Sequence, residues 1–191
     1  MTALTLARPD DLDRLAQLVA AFHAEVGIAQ DDATRREALT PILEGSPHGV
    51  AYLIGPARAP IGYVILGFGW SVRAAGLEGV VDELYIRRAV RGRGIGSEVM
   101  SALPKALAGA GLRSLHLQVR RDDAKARKLY EKLRFTPCED HVLMMREMQQ
   151  METDDVCRIL GLSSANLRVS LHRARQKLFT MIEGFRETGE C

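Results

Sequence analysis

The 191-residue chain is predicted to be a mixed α/β protein: a mainly antiparallel central sheet flanked by helices, followed by a C-terminal helical pair. Three observations predict it. Apolar residues recur at helical spacing before residue 45, three β-branched and aromatic runs follow between residues 50 and 86, and strand and helix patterns then alternate to residue 133. Beyond Met148 the strand pattern stops. That shift predicts a boundary near Gln149-Gln150, with one domain over 1–148 and an appendix over 151–191.

Taken in order, Thr2 to Ala7 alternate as a short strand does, and Pro9-Asp10-Asp11 is a helix-opening signal in which either aspartate is able to cap free N–H groups. Leu12, Leu15, Leu18, Val19 and Phe22 share one helical face, and Gly27 ends that helix after Val26. A second helix is expected over Thr34 to Glu44, closed by a loop rich in Gly, Ser and Pro. Val50–Ile54, Ile61–Trp70 and Gly79–Ile86 are the three strands of an antiparallel meander. A helix follows over Ser97 to Leu107, with Pro104 as a blemish because proline removes a backbone donor. Leu115–Val119 is then a strand and Asp123–Leu133 a helix, a crossover that demands parallel pairing. Phe135–Cys138 and Val142–Met148 complete the expected strands.

Composition narrows the function classes. Twenty-six Lys and Arg against 24 Asp and Glu leave a formal charge of +2, so any affinity for nucleic acid has to come from a local patch. Cys138, Cys157 and Cys191 are odd in number and lack metal-ligand spacing, which argues against a disulfide scaffold or a zinc ribbon and for a reducing cytoplasm. No metal site is expected. No segment approaches the run of about 18 apolar residues that a membrane span needs. Arg8, Asp10, Asp11 and Asp13 stand where a signal peptide would be apolar, so an unexported, cytoplasmic protein is expected.

The chemistry concentrates at Arg91-Gly92-Arg93-Gly94-Ile95-Gly96-Ser97, directly between a strand and a helix. Backbone N–H groups and the positive end of the helix dipole converge there, and glycines let an anion approach the chain closely. Arg87, Arg88, Arg91 and Arg93 raise the local potential, so a phosphate-bearing ligand is expected. No Lys-Ser or Lys-Thr follows the glycines, which excludes a P-loop, and the third glycine of the dinucleotide fingerprint is missing. The alternative is a tight turn with solvated arginines.

Arg91, Gly94 and Gly96 match the Arg/Gln-x-x-Gly-x-Gly/Ala loop of the GNAT superfamily of acyl-CoA-dependent N-acetyltransferases, and the chain resembles that family over roughly residues 2–148. Val81–Ile86 looks like the family's central strand, and Ala126-x-x-Leu129-Tyr130-Glu131-Lys132-Leu133-x-Phe135 like its later helix signature. The resemblance implies a splayed sheet, acetyl-CoA as acyl donor and an amine as acceptor. It implies that Arg91 to Ser97 hold the phosphates and that the backbone of Leu84, Tyr85 and Ile86 pairs with the donor's amides. Asp123 stands where the family has a cofactor-contacting Asn, and it offers only acceptors. Arg134 replaces the family's helix-ending glycine.

An amine with a pKa near ~10.4 has to lose a proton before it attacks. Strand alternation puts Glu83 on the face opposite Asp82, Leu84 and Ile86, which makes Glu83 the candidate general base, with a structural or substrate-anchoring carboxylate as its alternative and Asp82 in reserve. The resemblance implies that Tyr130 is the general acid near the thioester sulfur; the alternative is a tyrosine packed on the sheet. His116 is a lesser candidate base, beside Gln118. Cys138 has no basic neighbour in the sequence, so direct transfer is expected rather than an acyl-enzyme. Phe68 and Trp70 are either an apolar wall of the acceptor pocket or core.

Residues 153–178 have the shape of a helix-turn-helix. Leu167, Leu171, Ala174 and Leu178 form the packing stripe, and Arg168, His172 and Arg175 share another face. The run Val156–Ser163 followed by Leu171-His172-Arg173-Ala174-Arg175 resembles the end of the promoter-reading region of ECF-type sigma factors. Six basic and six acidic residues between 151 and 191 leave it neutral, and about 40 residues seldom fold alone. Packing on the domain or homodimerisation, DNA binding, and a remnant of gene fusion stay open. The function expected overall is acetyl transfer to a primary amine of a small molecule or a protein; the alternative is an acyl-CoA-sensing, transcription-associated protein whose tail binds DNA or polymerase.

Overall fold

The structure, a computed structural model, describes residues 2–138 together with 143, 144 and 163. By its internal contacts the chain divides into two units, Met1–Pro137 and Cys138–Cys191. The first holds β1 (Leu4–Leu6), α1 (Leu12–Val26), α2 (Asp32–Leu43), β2 (Gly49–Ile54), β3 (Gly62–Ser71), β4 (Gly76–Ile86), α3 (Ile95–Ala108), β5 (Leu112–Leu117) and α4 (Ala124–Lys132). The expected boundary at Gln149-Gln150, the strand over Val142–Met148 and the C-terminal helical pair lie outside the described residues.

The sheet runs in the order β1-β2-β3-β4-β5, antiparallel through β4 and parallel between β4 and β5, as the α3 crossover requires. Strand alternation divides its side chains between two cores. Leu53, Tyr63, Ile65 and Tyr85 pack under α1 and α2 against Leu15, Leu18, Val19 and Leu39. On the other face Ile54, Val64, Leu66 and Val81 pack against Val99, Met100, Leu103 and Leu107 of α3. Both cores therefore depend on the register of β3 against β4. Gly62 protects that register, because a Cβ there would lie 2.1 Å from the Tyr85 carbonyl oxygen.

Local signals account for the helix ends. Gly27 takes the left-handed conformation, φ 78°, and its N–H returns to the His23 carbonyl. Asp31 caps α2 by accepting the Thr34 N–H at 2.7 Å. Neither Asp10 nor Asp11 caps α1: the Asp11 carboxylate instead accepts the Arg8 N–H at 3.0 Å and pairs with Arg14 at 3.1 Å. The α3 helix continues through Pro104 with one backbone donor fewer, supported by Leu103 and Leu107 in the core. The expected strand at Phe135–Cys138 is absent. Phe135 instead packs edge-on against Tyr130, and its N–H returns to the Tyr130 carbonyl.

Candidate functional site

The site is built around an irregularity in β4. Ile65 pairs with Glu83 but Leu66 pairs with Val81, so Asp82 is an extra residue, a β-bulge. The bulge resets the alternation. Val81, Leu84 and Ile86 all face α3, whereas Glu83 and Tyr85 face α1. Glu83 is thus opposite Leu84 and Ile86 as expected, but Asp82 sits at the bulge rather than in a regular inward or outward position.

Two donors hold Glu83. His23 Nε2 lies 2.7 Å from Oε1, and the Tyr63 hydroxyl donates to Oε2 at 2.6 Å. Burial, reinforced by the Glu83 charge, pushes the Tyr63 phenol far above the ordinary tyrosine range, so it remains a donor. The Asp82 carboxyl is pushed up by the loss of water around it and by the neighbouring Glu83, with His23 opposing, although much of the residue stays accessible.

The β5 partner of β4 stops short of this point. Pairing runs from Leu77 with Leu112 to Val81 with Leu117, and beyond it the β4 edge from Glu83 to Ile86 has no β5 neighbour. The strands splay there. A short 3₁₀ turn at Arg88–Val90 then leads into the glycine loop, where Gly92 and Gly94 have φ of 80° and 81°. A Cβ on either would meet nothing, so it is backbone conformation that calls for glycine. Gly94 is the N-cap of α3, so the N–H groups of Ile95, Gly96 and Ser97 have no carbonyl partner within the helix. Open space above unpaired donors fits the phosphates of an acyl-CoA.

Arg91 is turned away from that role. Its Nε donates to the Ile86 carbonyl at 2.6 Å, and its guanidinium pairs with Glu25 of α1 at 2.8 Å, 5.4 Å above the Tyr85 ring. Glu25 also pairs with Arg88 at 3.2 Å and accepts from the Tyr85 hydroxyl at 3.1 Å. These contacts, Arg91 first, hold the Glu25 carboxyl below the usual range. Arg91 therefore ties the loop to α1, while Arg93 is exposed and without an ion pair among the described residues.

Tyr130 lies on α4, half-buried against the α3-side core, and its hydroxyl has no partner among the described residues. Burial and then the Asp123 charge push its phenol up, which keeps it protonated. Asp123 uses its carboxylate as the cap of α4, accepting the Ala126 N–H at 2.9 Å. Arg134 itself takes the left-handed position, φ 68°, where a glycine is usual. His116 is paired with Glu78, which also accepts from Ser114, and Phe68 packs on the α3-side core while Trp70 is 74% exposed. An open depression of about 410 Å³ lined by Arg14, Arg58, Pro60 and Arg87 includes neither Glu83 nor Tyr130.

Sequence reasoning missed His23, Tyr63 and Glu25. A signal existed for His23, which lies four residues after Val19 on the apolar stripe of α1, where a polar group has to find a partner. Nothing local announces that Tyr63 and Glu83, diagonal neighbours on adjacent strands, meet.

The sequence model of the Acetyltransferase (GNAT) family matches residues 13–135, more than half of the chain. That of Sigma-70, region 4 matches residues 139–178. No curated protein matches significantly. Among solved structures, an integron cassette protein from the mobile metagenome of Cole Harbour Salt Marsh is 23% identical at a TM-score of 0.68, covering 78% of this chain and 91% of its own. A ribosomal-protein-alanine N-acetyltransferase from Brucella melitensis is 20% identical at a TM-score of 0.63, covering 78% and 100%. An aminoglycoside acetyltransferase from an uncultured soil sample, solved with sisomicin, is 15% identical at a TM-score of 0.64, covering 78% and 97%. The splayed β4 edge, the glycine loop on α3 and the family match over residues 13–135 agree: the chain belongs to the acetyltransferase (GNAT) family.

Proposed function

We propose that the protein transfers an acetyl group from acetyl-CoA to a primary amine by direct attack. The observation that carries this reading is the continuity of the unpaired β4 edge at Glu83–Ile86 with the donor-rich start of α3. A pantetheine arm adds to that edge as a strand would, through Leu84, Tyr85 and Ile86, and its phosphates meet the N–H groups of Gly92 to Ser97 and the Arg93 guanidinium.

Glu83 takes the proton of the attacking amine, directly or through one water. The C–N bond forms, the C–S bond breaks, and Tyr130 gives its proton to the departing thiolate. A tyrosine with a protonated hydroxyl that no described residue engages is available for that step. Asp123 contributes by fixing the first turn of α4 and thereby Tyr130.

Calorimetric titration with acetyl-CoA, repeated on Gly94→Trp, tests the donor site. A thiol-release assay over a panel of small amines, polyamines, amino acids and peptides tests the transfer. Binding abolished by the variant, with thiol release on some amine, is expected; absence of binding would refute the reading.

The Sigma-70 region 4 match over residues 139–178 favours a second reading, in which the acyl-CoA domain senses ligand and the C-terminal segment binds DNA or polymerase. Acetyl-CoA binding without turnover, together with salt-sensitive DNA binding lost on Arg168→Ala/Arg175→Ala, is its expected result.

A further inference from the structure

His23 is 7% exposed, on the last turns of α1, and its Nδ1 has no hydrogen-bond partner among the described residues. Its other ring nitrogen is 2.7 Å from Glu83 Oε1. An imidazole in this setting makes one polar contact and spends it on the candidate base. The geometry fixes the tautomer as well. An ionised Glu83 has only lone pairs to offer, so a lone pair on Nε2 would face another at 2.7 Å; the hydrogen has to be on Nε2. Tyr63 meets the opposite oxygen from β3. The carboxylate is thus held from two elements, and the two donors differ. The Tyr63 hydroxyl can rotate and accept a hydrogen bond once Glu83 is protonated, whereas the Nε2–H only donates.

We infer that His23 is a positioning residue for Glu83, holding Oε1 as an acceptor so that the carboxylate keeps one orientation and takes the amine proton on Oε2. The inference rests on the reading of Glu83 as general base. In the transfer, the amine N–H bond breaks, its proton joins Oε2, the Tyr63 oxygen accepts from the new O–H, and the His23 bond to Oε1 persists unchanged. Phe22 packs beside the imidazole with ring centroids 6.0 Å apart and closes that side. The titratable groups facing the pair are Tyr63 on β3 and Asp82 and Tyr85 on β4, with Glu25 of α1 one step removed on the Tyr85 hydroxyl.

The test is a double-mutant cycle in the full chain, with thiol release on the amine found by the panel. His23→Leu is expected to lower kcat about 10- to 100-fold, the range for a misplaced catalytic group. The KM for acetyl-CoA stays as it was, and the acid limb of the pH–rate profile shifts. His23→Gln, which keeps an N–H donor at the same reach, restores most of the rate. In a Glu83→Gln background, His23→Leu adds no further loss, because the group it serves is gone. A purely structural role would lower stability and rate in both backgrounds alike. If His23→Leu does not fold, His23→Met replaces it in the same cycle.

Full kcat in His23→Leu with an impaired Glu83→Gln overturns the inference and leaves the base intact. A His23→Leu loss that persists undiminished in Glu83→Gln overturns it too. Full kcat in Glu83→Gln, or no turnover on any amine, removes the base reading and the inference with it. Imidazole ¹⁵N shifts give a reading apart from activity: a protonated Nε2 that responds to Glu83→Gln supports the contact, and a protonated Nδ1 overturns it.

Discussion

Glu83 sits half-covered between Tyr63 and His23, which hold one carboxylate oxygen each, and the loss of either leaves an acceptor without that partner. Tyr63 is fully buried, so Tyr63→Phe removes the hydroxyl without opening a path for water to replace it. The variant is expected to unfold about 1–3 kcal/mol more easily, as measured by urea denaturation. Asp82 behaves oppositely. A carboxyl whose pKa is raised by folding favours the folded state when protonated; that contribution is complete below the unfolded value and is lost as pH rises through the folded one. At neutral pH the charged Asp82 therefore opposes folding, and Asp82→Asn should raise Tm at pH 7. Solvent around this largely accessible residue limits the gain to less than about 1 kcal/mol. The gain should fade as the buffer approaches about pH 3, where both states of the wild-type carboxyl are protonated.

Among the elements, the β4–α3 connection joins two cores and the ligand loop. Gly94 needs its positive φ, and a Cβ there costs about 1–2 kcal/mol of backbone strain although it touches nothing. Gly94→Ala is thus expected to weaken acetyl-CoA binding in calorimetry while the far-ultraviolet circular dichroism stays native. The pairing of Arg91 with Glu25 makes α1 a support for the same loop. Glu25→Gln should weaken acetyl-CoA binding by loosening Arg91, even though it removes a negative charge beside a phosphate site. Simple electrostatics predicts the reverse sign, so the direction of the change in Kd decides between support and repulsion.

At the scale of the molecule, the sheet is a shared wall between two cores, and damage to one face leaves the other's contacts in place. Leu103→Ala opens a cavity on the α3 side and should lower stability by about 2–5 kcal/mol in denaturant melts. The His23–Glu83–Tyr63 contacts lie on the α1 face. Residual activity at low temperature is therefore expected to outlast much of that stability loss. A chain ending at Pro137 contains the whole first unit and the whole GNAT match. It is expected to bind acetyl-CoA as the full chain does.

Much of this was legible in the residues. Helix α1 and its stop at Gly27 follow from a 3.6-residue stripe ended by glycine, and the meander from β-branched runs between turns. The glycine loop, its arginines and the helix after it are written in consecutive positions, so a candidate phosphate site could be proposed before any fold was known. These are local properties, set by periodicity and backbone sterics within a few residues. What surrounds Glu83 is not local. His23 lies 60 positions away and Tyr63 lies 20; Tyr63 reaches Glu83 as a diagonal neighbour across the regular part of the β3–β4 register, and His23 reaches it only through the packing of α1 on that face. Arg91 reads in sequence as a phosphate ligand, yet the packing of α1 brings Glu25 to it across 66 positions. The chain by itself determined which chemistry was present. Only the tertiary structure decided which groups hold which, since long-range register and helix packing assign the partners of every half-buried charge.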